Sequence, residues 1–191
     1  MSEQVFKEMH KRIPLYYMQE SYKFTPDLMD LKRDVKDEFL VLIIGQMQQG
    51  RPLSHALLGA NYYGKGVTTG SDYLMKKVSP MGPPFVIHLQ KRVQKNGLLI
   101  PPHMVGRIEG DVVGLPLRMI TKLDMYEENG VMTNRLKRFV RLQHSSQNNQ
   151  AVSCFVYLGN QDYYEESFDD LAKLPGVSTM EQDGTKRFYY I

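Results

Sequence analysis

The chain has 191 residues, a formal net charge of +3, 42% hydrophobic and 24% charged residues. That length suits one well-buried core without demanding two, and the composition excludes wholesale disorder. The one cysteine, Cys154, excludes an intramolecular disulfide and a zinc site of its own, which points to a reducing compartment.

Residues 1–37 read as a helical N-terminal extension preceding a domain over 38–191. Val5, Met9 and Ile13 recur at near-helical spacing until Pro14 interrupts them. Thr25-Pro26-Asp27 then gives a cap and first turn for a second helix through Leu28, Leu31 and Val35. The extension is amphipathic enough to dock on its own domain or to meet a protein partner. Glu3, Lys7, Glu8, Lys11 and Arg12 stand where a signal peptide needs its apolar core, and the glutamates are out of place in an acid-poor transit peptide. The expected address is therefore intracellular, cytoplasmic and away from membranes, since no run approaches the roughly 18 apolar residues of a bilayer span.

Phe39 to Ile44 is a continuous apolar run ended by Gly45, the pattern of a buried central strand. Gln46 to Pro52 is a loop, Leu53 to Leu58 starts a short helix, and the glycines between Gly59 and Gly70 predict turns and short strands. Phe85 to Leu89 is a second apolar strand. Arg107 to Val113 alternates and predicts a third, with Gly110 as a bulge. Pro116 opens a helix to about Glu128, with Asn129-Gly130 as its left-handed stop. Arg135 to Leu142 and Val152 to Leu158 predict a hairpin across a polar turn at Ser145 to Gln150. The tail supplies a short acidic helix and a final aromatic segment, Arg187 to Ile191. The fold class is α/β of the α+β type: a mixed sheet or barrel with a few helices.

On the Pro116 helix, Met119, Ile120, Leu123 and Tyr126 share one face, and Glu127 falls on it between Ile120 and Leu123. Glu128 lies to one side and reads as the solvent carboxylate. A carboxylate buried on an apolar face is held toward its neutral form, which suits proton transfer. The alternative is that the last turn frays and Glu127 reaches water or pairs with a base such as Arg135. The loop Ile43-Ile-Gly-Gln-Met-Gln-Gln-Gly50 can present backbone N–H groups to an anion, although it matches neither a Walker loop nor a dinucleotide fingerprint.

Other residues read blandly. His10, His55, His88, His103 and His144 have no metal-ligand spacing. Cys154, between apolar strand neighbours, reads as an inert thiol, and Asp124 as a hydrogen-bond acceptor for a nearby loop. Tyr62 and Tyr63 either shape a pocket wall or simply pack. Basic clusters at Lys76-Lys77, Lys91-Arg92-Lys95 and Arg135-Lys137-Arg138-Arg141 read as solvated faces, so nucleic acid is not an expected partner.

Taken in order, these segments resemble the γ-glutamyl cyclotransferase-like (AIG2-like) family over 40–158, and its γ-glutamylamine branch most. Leu40 to Pro52 is similar to the family's opening strand and loop, and Gly106 to Val113 to its Val-x-Gly-Glu-Val-Tyr strand. Leu123-Asp-Met-Tyr-Glu127 is similar to the Leu-Asp-x-(Phe/Tyr)-Glu helix end, Thr133-Asn-Arg135 stands where Tyr-x-Arg is usual, and Ala151 to Tyr157 fits the closing strand. The resemblance implies a cofactor-independent reaction on a γ-glutamyl amine or peptide, in which the α-amine attacks the γ-carbonyl and 5-oxoproline is released. It implies Glu127 as the acid/base, with Ile44, Gly45, Gln46, Met47 and Arg135 holding the substrate and no metal. The sequence departs from the family at Ile44 for tyrosine, Gln46 for serine or threonine, Met47 for leucine and Thr133 for tyrosine. Those departures keep a second expectation open: a catalytically silent domain of the same fold that binds a small ligand or a protein.

Overall fold

The apolar run that opens the domain becomes the strand on which a barrel closes. A computed structural model describes residues 38–51, 53–80, 84–143, 151–177, 179–182 and 185–188, all within the unit Asp37–Ile191. The helical extension expected over 1–37 lies outside the described residues.

Strand β1 (Phe39–Ile43) runs antiparallel to β5 (Arg107–Leu115), with Val41 opposite Val113, and parallel to β7 (Ala151–Gly159), with Val41 opposite Phe155. β2 (Asn61–Thr68) lies between β5 and β6 (Thr133–Leu142), and β6 pairs with β7 from Thr133–Gly159 to Arg141–Ala151. The circuit β1-β5-β2-β6-β7 returns to β1, so five strands close a mixed barrel without an open edge. Two hairpins extend it. β3 (Tyr73–Lys77) and β4 (Pro84–His88) join β7 at Ile87–Gly159, and β8 (Thr179–Gln182) and β9 (Thr185–Phe188) join β5 at Arg107–Arg187. Among the described residues there are two α-helices, α1 (Leu117–Tyr126) and α2 (Gln161–Ser167). The expected α+β barrel with few helices is the fold observed.

Burial on both faces explains why β1 is apolar throughout. Leu42 points into the barrel with Ile108, Val112, Val140, Cys154 and Val156. Val41 and Ile43 point outward, where Val113, Leu115 and the α1 residues Ile120 and Leu123 cover them. Burying each of those two helix side chains stabilises the packing of α1 by roughly 1.5–3 kcal/mol. A third cluster, Leu74, Ile87, Leu89, Ile100, Tyr164 and Leu171, seats β3, β4 and α2 beside the barrel.

Several local expectations are corrected. Between Gly59 and Gly70 lies one eight-residue strand, Asn61–Thr68, rather than several short pieces, its register shifting between Tyr62 and Gly64. β3 is a strand at a place read only as part of a basic cluster. Leu53 to Leu58 yields a single 3-10 turn, Ser54–Leu57. Gly110 is no bulge: it sits in continuous register opposite Gly66, and a Cβ there would fall on the Ile43 carbonyl oxygen and press on Leu42. Gly110→Ala is therefore expected to destabilise the domain by about 3 kcal/mol, read as a lower urea midpoint with an unchanged slope. Tyr62 and Tyr63 are about half-exposed, and Tyr63 donates to Glu38 at 2.5 Å.

Lys91, Lys95, Lys137 and Arg141 are solvent-exposed, as the reading of the basic clusters expects, and Lys76 is a departure. Lys76 is buried, and its ammonium donates to the Ala172 and Leu174 carbonyls at 2.8 and 3.0 Å. Lys95 meets Asp162 and Glu166, and Arg92 meets Asp72.

Candidate active site

The site lies at the end of the barrel where β1 and β7 finish together. β1 leaves through Gly45, whose positive φ of 83° turns the chain into a 3-10 turn over Gly45–Met47. Beside it, Pro84 begins β4, 3.5 Å from where a Gly45 Cβ would stand. The turn closes with the Gln48 N–H donating to the Gly45 carbonyl, and Leu53 N–H returns to the Gln46 carbonyl. A 3-10 turn satisfies N–H groups only from its third residue on, so the Gly45 and Gln46 N–H groups at its entrance have no partner within it. Met47 turns its side chain into the apolar cluster beneath α1, and Ile44 packs on the edge of the barrel core.

Glu127 arrives at the same end from the other side. α1 stops at Tyr126, and Glu127 caps it with its N–H on the Leu123 carbonyl. Thr133 Oγ1 donates to the Glu127 carbonyl at 2.6 Å, and Thr133 opposes Gly159 at the end of β7. Glu127 is partly buried, no cation among the described residues offsets the desolvation of its carboxyl, and burial raises its pKa from 4.5 to about 7. At neutral pH it is divided between acid and base.

Arg135 does not pair with Glu127. Its guanidinium, 8% exposed, meets Asp124 Oδ2 at 3.1 Å and lies 4.9 Å over the Phe155 ring. Asp124 also accepts from the Tyr157 hydroxyl at 2.8 Å and from the Asn129 amide at 3.2 Å, while Asn129 Oδ1 takes the Arg135 N–H. This network joins the end of α1 to β6 and β7 and engages the Arg135 guanidinium with Asp124. Tyr157 is raised well above the usual phenol range by burial first and the Asp124 charge next, so it remains a donor.

The helix end differs from its expected form. The helix is two residues shorter, and its left-handed residues are Glu128, at φ 49°, as well as Gly130, at φ 92°. Tyr126 and Met125 face solvent rather than the core. Glu128 is only partly exposed, and its Oε2 is buried with no hydrogen-bond donor among the described residues, so it is not the free solvent carboxylate the helical wheel predicts. Two further polar residues lie at the loop unannounced by any motif: Asp111, 1% exposed, and Gln48, buried with no hydrogen-bond partner for its Oε1 among the described residues. A lone aspartate among apolar strand residues is the signal for the first, and the second has none.

The remaining candidates stand apart from this end or are inert. Cys154 is buried in the barrel, its thiol pushed up to about 11 by burial. His88 packs on Tyr73, and burial lowers its pKa. Among the described residues no group of three or more His, Cys, Asp or Glu could hold a metal ion, and no helix is long and apolar enough to cross a membrane.

No family model matches the sequence, and no curated protein does either. Solved structures do. A crystal structure of an AIG2-like protein (A2LD1, GGACT) from Mus musculus superposes with a TM-score of 0.57 at 18% identity, covering 78% of this chain and 91% of that one. A solution structure of A2LD1 gives a TM-score of 0.53 at 19% identity, covering 76% and 91%. The fold is that of AIG2-like, GGACT-like proteins, as the ordered motifs led one to expect.

Proposed function

We propose that the protein is a γ-glutamyl cyclotransferase that releases 5-oxoproline from a γ-glutamyl amine or peptide, working inside the cell without a cofactor. The observation that carries this reading is Glu127, its pKa raised by desolvation with no compensating cation among the described residues, at the end of the barrel where the Gly45 turn presents its entrance N–H groups. The substrate's α-amine must lose a proton as it attacks its own γ-carbonyl, and the departing amine must gain one. One carboxyl that titrates near neutrality serves both steps. The Gly45 and Gln46 N–H groups hold the substrate's α-carboxylate, with Ile44 and Met47 shaping the turn from its inner side. Arg135 acts from behind, holding Asp124 and the helix end in place. Intramolecular attack requires orientation above all, which this cradle supplies.

The test is direct assay of 5-oxoproline after incubation with γ-glutamyl amines, γ-glutamyl dipeptides and glutathione. Release from an amine, with little from glutathione, is the expected result; no release across the panel from folded protein would overturn the reading.

A second reading, a catalytically silent binder of the same fold, draws on Ile44 and Gln46 in the loop. It predicts saturable binding of 5-oxoproline or γ-glutamyl compounds, by calorimetry, without turnover.

A further inference from the structure

The Gly45–Gly50 loop has little to hold its outer half. Met47 and Gln48 are buried, but Gln49 and Gly50 are exposed, and Gly45 and Gly50 both adopt positive φ, at 83° and 78°. Glycine in that region adds freedom rather than stiffness. What ties the outer half to the barrel is a carboxylate: Asp111 Oδ2 accepts the Gln49 N–H at 2.6 Å, and Asp111 Oδ1 lies 2.5 Å from the Lys65 ammonium.

The sheet register explains how one residue reaches both. Asp111 sits in β5 opposite Ile43 of β1, the strand that feeds the loop, and opposite Lys65 of β2 on its other side. It is almost fully buried, whereas the Lys65 side chain is 38% exposed. A buried charge persists only when paired and hydrogen-bonded, and a charge-assisted bond to a backbone N–H is shorter and stronger than a neutral one.

We propose that Asp111, pinned by Lys65, is the positioning residue that sets the loop in the conformation presenting the Gly45 and Gln46 N–H groups to substrate. This rests on the proposed function insofar as it concerns turnover. Asp111 touches no reacting atom. It acts through the loop, whose hold on the α-carboxylate is the same in ground and transition states, so its loss appears in KM and not in kcat.

The experiment compares Asp111→Asn and Lys65→Met with the wild-type full chain. Amide hydrogen exchange across 45–50 is expected to quicken by about tenfold in Asp111→Asn, as an opening equilibrium shifts, with 117–126 unchanged. In the same variant KM for the best γ-glutamyl substrate is expected to rise by about tenfold, with kcat and its pH midpoint retained. Lys65→Met, altered at the surface, is expected to show both changes in smaller measure, and it decides the matter if Asp111→Asn fails to fold. Unchanged exchange in the loop would overturn the proposal whether or not the protein turns substrate over. A fall in kcat at constant KM would also overturn it. Absence of turnover in the wild type would instead count against the proposed function, and the exchange result alone would then decide the role of Asp111.

Discussion

Replacing Glu127 by glutamine is expected to lower the rate of 5-oxoproline release by on the order of a hundred- to ten-thousand-fold, the range for removing a general acid/base. KM should move little, since the α-carboxylate is held by the loop. Wild-type kcat/KM should rise with pH through about 7 as the carboxylate forms, and this limb should vanish in the variant. The same substitution changes stability in a pH-dependent way. Glu127 has a folded pKa raised above its unfolded value of 4.5, so the folded state binds the extra proton. Its contribution is fully present below pH 4.5 and is lost as pH rises through 7. The charged form is therefore a burden above neutrality, at most about 3 kcal/mol for a shift of this size. Glu127→Gln should gain stability relative to wild type at pH 8 but not at pH 4, read by urea unfolding at both. A residue with a merely structural role would lose stability at both pH values and leave the rate profile's shape intact.

Arg135→Met is expected to destabilise the domain by about 3 kcal/mol, because it leaves Asp124 charged and partly buried without its partner. Asp124→Asn should do less, since Tyr157 and Asn129 still offer it hydrogen bonds. The double variant should be more stable than the sum of the two losses predicts, which a double-mutant cycle in urea measures. Additive losses would show that the guanidinium and the carboxylate act independently.

Much of the fold is legible because its strands carry unmistakable patterns. β1 is packed on both faces and is apolar at every position, and β6 turns Val140 and Leu142 toward the barrel core, though its Leu136 and Phe139 are exposed. The fold-level motifs also survive in order, which is how a neighbour of 18% identity could be anticipated. Where the reading failed, spacing across the sheet was the cause. Gly64 and Gly66 look like turn residues along the chain, but the one accommodates a register shift, and the other leaves room for Val140 and Val112 across the barrel. Gly110 looks like a bulge, yet what it requires is space for the Ile43 carbonyl.

At the site, helical phase places Glu127 on the apolar face of α1. The same phase misplaced Glu128, because the helix ends at Tyr126 and the left-handed Glu128 turns the chain off the helical path, while Tyr126, still helical, is exposed beyond the Ile120 and Leu123 contact. The partner of Arg135 was not legible either. Glu127 is nearer to it along the sequence than Asp124, and only the pairing of β6 with β7 brings Tyr157 and the guanidinium to Asp124.

The account turns on a carboxyl that is both acid and base at neutral pH. Titration of the Glu127 side-chain carboxyl by carbon-13 NMR, assigned by its loss in Glu127→Gln, tests that most directly. The account predicts a midpoint near 7, displaced when 5-oxoproline is added. A midpoint at the ordinary 4.5, indifferent to 5-oxoproline, would contradict it.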